Sequence, residues 1–228
     1  VTCIEEGCFQ GCISLGSITL GLSINSIKEK AFYCCRSLLE IEIPNLVHVI
    51  SQKAFYGCSK LTNIKLRNNL VKIEKNAFMK CASIDEIVFP SSIKSIGEGS
   101  FADCTLLNKV TFYSQIEKLK SRIFSNCRNL KEVILPSDLQ EICDEVFLNC
   151  LKLKKIEIPN KVESIGYRAF YGCKSLEEMK FPSSMKSIGS YSFYQCFCLK
   201  YVRLPYSLKV IENDLFHDCL NLEDIKIY

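Results

Sequence analysis

The sequence lacks any large excess of charge of one sign. Its 29 Lys and Arg residues are scattered among 25 Asp and Glu residues, which leaves a formal net charge of +4. Nucleic-acid binding usually needs a one-sided basic surface, so no nucleic-acid partner is predicted. No apolar run approaches the roughly 20 residues that a helix needs to cross a bilayer. Direct membrane insertion is therefore not predicted within this stretch.

The side chains that usually carry chemistry are few or wrongly spaced. The two histidines, His48 and His217, lie far apart in the chain, so neither is predicted to activate a Cys nucleophile. No Cys-x-x-Cys occurs, and the close cysteine pairs at 34–35 and 196–198 lack a second pair at ligand spacing. A Gly-rich phosphate loop is also missing. The sequence predicts no enzyme, no cofactor and no metal site.

What the sequence has instead is a strict repeat of 23 residues. Each repeat carries a Phe followed three residues later by a Cys, and no insertion or deletion interrupts the spacing. These structural pairs are Phe9/Cys12, Phe32/Cys35, Phe55/Cys58, Phe78/Cys81, Phe101/Cys104, Phe124/Cys127, Phe147/Cys150, Phe170/Cys173, Phe193/Cys196 and Phe216/Cys219. A period of this length is the signature of a solenoid whose coils contact only their neighbours. We expect one domain over residues 1–228, built from about ten coils.

The first and last residues fall in mid-repeat. Val1 takes the position that Val162 holds in its repeat, and Tyr228 takes a position usually held by Pro. Terminal repeats normally carry a polar cap, and neither end shows one. We expect a piece of a longer array, with end-to-end self-association through the uncapped ends.

Within each repeat, the apolar positions predict two short strands. The pattern Leu-x-x-Ile-x-Ile, as in residues 38–43, has the period of two of a strand with one buried face. Coils stacked in the same direction would pair these strands into one parallel sheet. All six Pro residues directly follow this pattern and would end the strand. An apolar pair three residues apart, such as Val162 and Ile165, then fits a second strand of two or three residues.

Turns complete the expected coil. A turn with positive φ is predicted directly after the second strand, at glycines in three repeats. These glycines are Gly97, Gly166 and Gly189. The residues before each Phe, such as 168–170, are predicted to form a single helical turn. The one weak coil, at residues 111–123, has Tyr113 in place of Pro, and we expect local irregularity there without a domain break.

The combined motif Leu-x-x-Ile-x-Ile-Pro-x-x-Val-x-x-Ile-Gly-x-x-Ala-Phe-x-x-Cys resembles the leucine-rich repeat of the BspA-like proteins, the treponemal type of bacteria and parasitic protists. The likeness covers the whole chain, with Gly21, Arg67, Tyr113 and Tyr228 where Pro is expected. It implies an α/β repeat solenoid, a right-handed horseshoe or arc. One parallel sheet would line the concave face, with short helical turns and short strands on the rest of each coil. For many members it also implies display on the cell surface and adhesion to host cells or matrix.

The 15 cysteines would ordinarily suggest a disulfide framework. Most, however, share the position three residues after Phe, where in-register Cβ atoms lie roughly 5 Å apart with parallel directions, whereas a disulfide needs about 3.8 Å and converging directions. We predict a buried ladder of free thiols that pack as small hydrophobic groups. The remaining cysteines are off phase, and a chance pair among them is left open: Cys3, Cys8, Cys34, Cys143 and Cys198.

Residues between the inward-facing Leu and Ile positions would point outward and form two rows on the sheet. The first row is Glu40, Asn63, Glu86, Lys109, Glu132, Lys155, Glu178, Tyr201 and Asp224. The second row is Glu42, Lys65, Val88, Thr111, Ile134, Glu157, Lys180, Arg203 and Lys226. These rows vary from coil to coil while the inward rows do not, as expected of a scaffold that carries a binding surface.

Candidate binding residues lie on or beside these rows. They are Lys155, Glu157, Glu178, Lys180, Tyr201, Arg203, Tyr206, Asp224, Lys226, Val88 and Ile134. The alternating signs of Glu132, Lys155 and Glu178 are also explained by exposed cross-strand pairs. Lys180, Arg203 and Lys226 are stacked like charges, which are unfavourable unless something offsets them.

Those three cations have two interpretations. Glu178 and Asp224 would offset them from the first row, or the cations form a strip that binds an anion or an acidic protein, with Tyr201 and Tyr206 beside it as favoured hot-spot residues. Val88 and Ile134 are candidate apolar anchors, although single exposed apolar residues are common.

The sequence thus predicts a non-enzymatic scaffold that binds a protein or an extracellular-matrix ligand through the concave sheet of a cell-surface or extracellular protein. The alternative is a cytoplasmic scaffold, or the regulatory domain of a signalling protein. Free thiols and the absence of any Asn-x-Ser/Thr sequon favour the alternative, whereas the family resemblance favours the surface.

Overall fold

The computed structural model describes residues 1–228 as a solenoid of parallel strands without any helix. Its 17 strands, numbered β1 to β17 in chain order, fall into two sets. The front strands are β3 (Glu40–Glu42), β5 (Asn63–Lys65), β7 (Glu86–Phe89), β9 (Lys109–Phe112), β11 (Glu132–Ile134), β14 (Glu178–Lys180), β16 (Tyr201–Leu204) and β17 (Asp224–Ile227). The back strands are β1 (Cys3–Ile4), β2 (Ser26–Ile27), β4 (Val49–Ile50), β6 (Lys72–Ile73), β8 (Ser95–Ile96), β10 (Lys118–Leu119), β12 (Glu141–Ile142), β13 (Ser164–Ile165) and β15 (Ser187–Ile188). The predicted stack of about ten coils of about 23 residues is confirmed.

Strand pairing joins residues that lie one repeat apart in the chain. In β3 and β5, Ile41 pairs in parallel with Ile64. Ile41 is only 3% exposed, while Glu40 and Glu42 on either side of it are exposed. The front strands therefore place one apolar residue in the core and its two neighbours on the surface, because side chains alternate along a strand.

Gaps in the pairing are staggered between the two sets of strands. The front strands form the segments β3–β5, β7–β9–β11 and β14–β16–β17, whereas the back strands pair from β1 to β8 and from β10 to β15. The back gap falls in the coil at 111–123, where irregularity is predicted, and there the front strands pair continuously. Each junction between coils thus keeps strand pairing on at least one side.

The predicted helical turn before each Phe is wrong, because the backbone runs there through consecutive β-turns. We call this segment the turn ribbon; it has positive φ two residues before and two residues after each Phe, as at Lys53 (53°) and Gly57 (72°) around Phe55. Its backbone N–H groups alternate between hydrogen bonds within the coil and hydrogen bonds to the next coil. The N–H of Cys58 donates to the Phe55 carbonyl at 3.2 Å, whereas the N–H of Phe55 donates to the Ala77 carbonyl of the next coil at 2.8 Å. A helix would use these amides internally and leave neighbouring coils unlinked.

The prediction that Gly97, Gly166 and Gly189 supply positive φ is also wrong, since none of the three has it. They lie where the backbones of adjacent coils approach closely. A Cβ at Gly166 would lie 2.6 Å from the backbone nitrogen of Asp144, and one at Gly97 would lie 2.4 Å from that of Lys75. These glycines are thus explained by the missing Cβ and not by a left-handed conformation.

A single cluster of 61 buried residues runs along the solenoid. Its spine is the Phe ladder, in which the rings of adjacent coils stack with centroids 5.1 to 6.2 Å apart. The widest step is between Phe101 and Phe124, both fully buried. There Phe89 packs edge-on against Phe101 at 5.5 Å, and Phe112 packs edge-on against Phe124 at 6.3 Å. The extra aromatic rings fill the irregular coil and keep the core continuous.

The predicted ladder of free thiols is confirmed, since all 15 cysteines are unpaired. From the second coil onward each ladder thiol donates to the carbonyl of the Phe in the preceding coil, as Cys58 Sγ does to Phe32 O at 3.1 Å. That carbonyl also accepts the N–H of Cys35 at 3.1 Å, so both of its lone pairs are used. Burial raises the pKa of Cys173 to about 12. In the first coil Cys12 is exposed, contrary to the prediction, because only one coil packs against it.

Candidate binding face

The two predicted rows of outward side chains are here named the front face, and most of their residues lie on the front strands. Lys155 and Glu157 lie in a coil without a front strand, and Thr111 is buried, contrary to the prediction. Glu178 pairs in register with Tyr201, and Lys180 with Arg203. Met179, between the two charged residues of β14, is 2% exposed. Because this side chain anchors the strand in the core, its neighbours must point to solvent.

Most charges of the front face are compensated by ion pairs. The Lys109 ammonium lies 3.1 Å from the carboxylate of Glu132. Lys155 precedes β14 by one coil and lies 3.7 Å from both Glu157 and Glu178. Exposed pairs of this kind are each worth about 0 to 1 kcal/mol, so they govern the charge pattern of the face more than its stability.

Two cations of the front face have no carboxylate partner and stand side by side. Lys180 and Arg203 are direct neighbours across β14 and β16. Glu178, predicted as an offsetting charge, is instead engaged by the lysine of the preceding coil. Lys226, the third member of the predicted strip, pairs with Asp224 at 3.4 Å. The uncompensated part of the strip is therefore Lys180 and Arg203.

The two predicted tyrosines differ in how free their side chains are. Tyr201 donates its hydroxyl to Glu223 at 3.0 Å, and this hydrogen bond raises the pKa of Tyr201. Tyr206, at the corner after β16, is 74% exposed. The ring of Tyr206 is thus available for contact with a partner, whereas the Tyr201 hydroxyl is already used.

The apolar candidates belong to one patch in the middle of the solenoid. Val88 and Ile134 are 42% and 47% exposed. Both pair in register with Thr111, from opposite sides. Thr111 is 7% exposed, so its two neighbours cover it and form a short apolar strip across three coils.

A surface cluster on the turn ribbon has no counterpart among the sequence predictions. Tyr171, Tyr194 and His217 stack across three coils with ring centroids 4.9 Å apart at each step. The Arg168 guanidinium lies 4.8 Å from the ring of Tyr167. The repeat contains a signal for it, because Tyr recurs directly after Phe at Tyr33, Tyr56, Tyr171 and Tyr194. Stacked rings of this kind bury area between coils, so they act first as packing.

The structure holds no group of three or more His, Cys, Asp or Glu side chains that could bind a metal ion. His48 is exposed, and its Nδ1–H donates one hydrogen bond to the carbonyl of Asn69 at 2.9 Å. Nor is there a helix of the length and apolarity that crossing a membrane requires.

Comparison with protein families identifies the repeat. The family described as BspA type leucine-rich repeat region, in six copies, matches residues 1–106, 25–152 and 140–228, which together span the chain. The chain belongs to this BspA-type leucine-rich repeat family. Proteins of this kind are repeat scaffolds that generally lack enzymatic activity and bind other proteins. No match was found among curated proteins.

Several solved structures share the BspA-type fold. A leucine-rich repeat protein from Bacteroides ovatus is 30% identical with a TM-score of 0.82, and the match covers 100% of this chain and 64% of that one. A leucine-rich repeat protein from Eubacterium ventriosum is 28% identical with a TM-score of 0.62, over 69% of this chain and 42% of that one. A leucine-rich cell surface protein from Faecalibacterium prausnitzii shares the fold at 22% identity and a TM-score of 0.60, over 100% and 69% of the two chains. The chain thus spans less than two thirds of the Bacteroides protein.

Proposed function

We propose that this BspA-type chain is a non-enzymatic scaffold that binds a protein or an extracellular-matrix ligand through its front face. One observation carries the proposal: the interior repeats the same contacts in coil after coil, while the exposed rows do not. Phe, Cys and Leu recur at fixed positions throughout. The front face instead differs between its middle coils, which carry an ion pair and the apolar strip, and later coils, which carry the two uncompensated cations.

The location proposed for the scaffold is the cell surface. The chain belongs to the BspA-type family, and the family resemblance implies display on the cell surface for many members. A cytoplasmic scaffold or regulatory domain is the second candidate, and the 15 unpaired cysteines favour it, because disulfides form and persist mainly in oxidising compartments. Ten of those cysteines occupy a ladder position whose geometry forbids bridging, which weakens the objection to a surface location.

Binding is tested with purified extracellular-matrix proteins captured on a sensor and the 228-residue chain in solution. Lys155→Ser/Arg203→Ser alters the front face, and Lys94→Ser/Lys186→Ser makes the same change of charge elsewhere. Loss of about tenfold in affinity is expected for the front variant alone, since central interface residues carry most binding energy. Equal loss in both variants, or no binding to any matrix protein by the folded chain, would contradict the proposal.

Location is tested on intact cells that express the natural gene. An antibody against the folded chain is expected to label intact cells, and external protease is expected to remove the signal. Labelling only after permeabilisation would favour the cytoplasmic scaffold.

A further inference from the structure

One pair of adjacent cations on the front face lacks any carboxylate partner. The basic residues in the two rows of the front face are Lys65, Lys109, Lys155, Lys180, Arg203 and Lys226, all exposed except the half-buried Lys109. Lys109, Lys155 and Lys226 each have a carboxylate within 4 Å, at 3.1, 3.7 and 3.4 Å. The other three have none. Of these, Lys65 has no basic neighbour in its row, since it lies between Glu42, which pairs with Arg67, and Val88. Only Lys180 and Arg203 are uncompensated cations that directly adjoin.

Close approach of these two cations is imposed by the fold. Parallel strands lie about 4.8 Å apart, and like charges directly opposite each other are destabilising. The strands cannot slip apart to relieve the repulsion, because Met179 and Phe181 of one coil and Val202 of the next are at most 2% exposed. An anion placed between the two cations would relieve it.

The surface around the two cations has room for a ligand. A depression of about 500 Å³ is lined by Lys180 and Arg203 together with Asn160 and Pro182. Tyr206, 74% exposed, lies three residues after Arg203 and offers an aromatic surface at the corner. Arg and Tyr are the residue types most often found at the energetic centre of protein interfaces.

The border of the depression limits what the ligand can be. Glu157 and Glu178 also line it, and both lie 3.7 Å from Lys155. A densely charged polyanion, such as a sulfated glycan, would meet these carboxylates beside Lys180. A peptide that presents one or two carboxylates among neutral residues would not.

We propose that Lys180 and Arg203 bind a carboxylate-bearing segment of the protein partner. The inference rests on the proposed function and names the chemistry of its ligand. One carboxylate offers about four lone-pair sites, so it can accept hydrogen bonds from both heads at once. The planar guanidinium of Arg203 suits a two-point contact with one carboxylate, whereas the Lys180 ammonium supplies a compact charge.

The test uses fluorescence anisotropy of labelled peptides with the 228-residue chain. One probe carries two Glu residues in a Gly-Ser background, and its matched probe carries two Gln residues instead. We expect the acidic probe to bind at least about tenfold more tightly, as two charge-assisted contacts would give. Lys180→Ser/Arg203→Ser should abolish that difference, and salt raised from about 50 mM to about 500 mM should weaken binding of the acidic probe.

Matched variants separate this site from general electrostatics. Lys94→Ser/Lys186→Ser removes the same charge outside the front face and should leave affinity for the acidic probe within about twofold. Arg203→Lys keeps the charge but loses the planar fork, so it should give an intermediate loss. Equal binding of both probes, no saturable binding of the acidic probe, or equal loss in the two double variants would overturn the inference.

A sulfated hexasaccharide serves as the competing ligand. If it binds through Lys180 and Arg203 more tightly than the acidic peptide does, the site is one for glycans and the inference is overturned. Failure of the peptide test while the front variant still loses matrix binding would leave the proposed function standing. Failure of both would remove the front face as a binding surface.

Discussion

The turn ribbon and the front strands of the same coils follow different rules. The ribbon repeats one bonding scheme along the chain, with every ladder thiol from Cys35 to Cys219 bonded to the Phe carbonyl of the coil before it. The front strands break into three segments, and their exposed residues differ from coil to coil. The comparison teaches that the architecture depends on the ribbon and the core, so the front face is free to vary for binding.

The largest expected effect is unfolding at alkaline pH, which acts through the buried ladder thiols. Burial raises the pKa of the deepest ladder thiols, to about 12 for Cys173 and well above the usual value for Cys81, Cys127 and Cys150. The folded state therefore holds these protons above the unfolded pKa of about 8.5, so its stability is full below that pH and falls as pH rises. By about pH 10 each such thiol costs about 2 kcal/mol. Together these four thiols cost about 8 kcal/mol, which is comparable to a typical stability of about 5 to 15 kcal/mol.

Circular dichroism across pH under reducing conditions should therefore show cooperative unfolding between about pH 9 and pH 10.5. Thiolate absorbance of the buried thiols, recorded on the same samples, should rise in step with it. Cys198→Ser, an exposed change, should leave the midpoint unchanged. Titration of the buried thiols while the strand signal persists would contradict the prediction.

Truncating one ring of the Phe ladder should have the next largest effect. Phe147 is fully buried and stacks on Phe124 at 5.8 Å and on Phe170 at 5.2 Å. Phe147→Ala should lower the free energy of unfolding by about 3 to 5 kcal/mol, since it leaves a cavity between coils. Ile134→Ala on the front face, 47% exposed, should change it by about 0.5 kcal/mol or less. Urea unfolding of both variants measures the contrast, and equal losses would show that the two sides do not differ.

Close backbone contact between coils can be tested at Gly166. A Cβ there would meet the backbone of residues 143 and 144 at 2.6 Å, so Gly166→Ala should cost about 1 to 3 kcal/mol through overpacking. Gly21 has nothing within 4 Å of its ideal Cβ position. Gly21→Ala should therefore leave stability unchanged or slightly raised, because Ala restricts the unfolded chain. Thermal melts of the two variants decide the matter, and similar melting temperatures would count against the close contact.

The sequence was sufficient for the period, the core rows and the free thiols, because each depends on position within the repeat. Because every Phe lies 23 residues after the preceding one, stacking of the coils aligns the Phe and Cys side chains into continuous ladders in the core. The local backbone conformation was predicted less well from the sequence. The helical turn predicted near Arg168 is a β-turn with φ 52° at that residue, since hydrogen bonds to the next coil outweigh local propensity.

Candidate site residues were predicted by row, and their partners were not. Alternation along a strand identifies Lys155, Lys180 and Lys226 as exposed, yet long side chains choose among several carboxylates within reach. Lys155 engages carboxylates in its own coil and in the next, while Lys180 has none. Only the three-dimensional structure distinguishes the paired Lys155 from the unpaired Lys180, because both are lysines on the outward rows and the sequence pattern treats them alike.

The smallest effect compares a paired with an unpaired cation on the front face itself. Lys155→Gln removes contacts to Glu157 and Glu178, each at 3.7 Å, and should lower the free energy of unfolding by about 0.2 to 1 kcal/mol. Lys180→Gln relieves its repulsion with Arg203 and should raise it by a few tenths of a kcal/mol, about 0.2 to 0.5. Urea unfolding at low salt should show opposite signs, and added salt should shrink both differences. A loss of stability in Lys180→Gln equal to that in Lys155→Gln would mean that Lys180 has a partner in the fold, and the case for an unfilled anion site would fail with it.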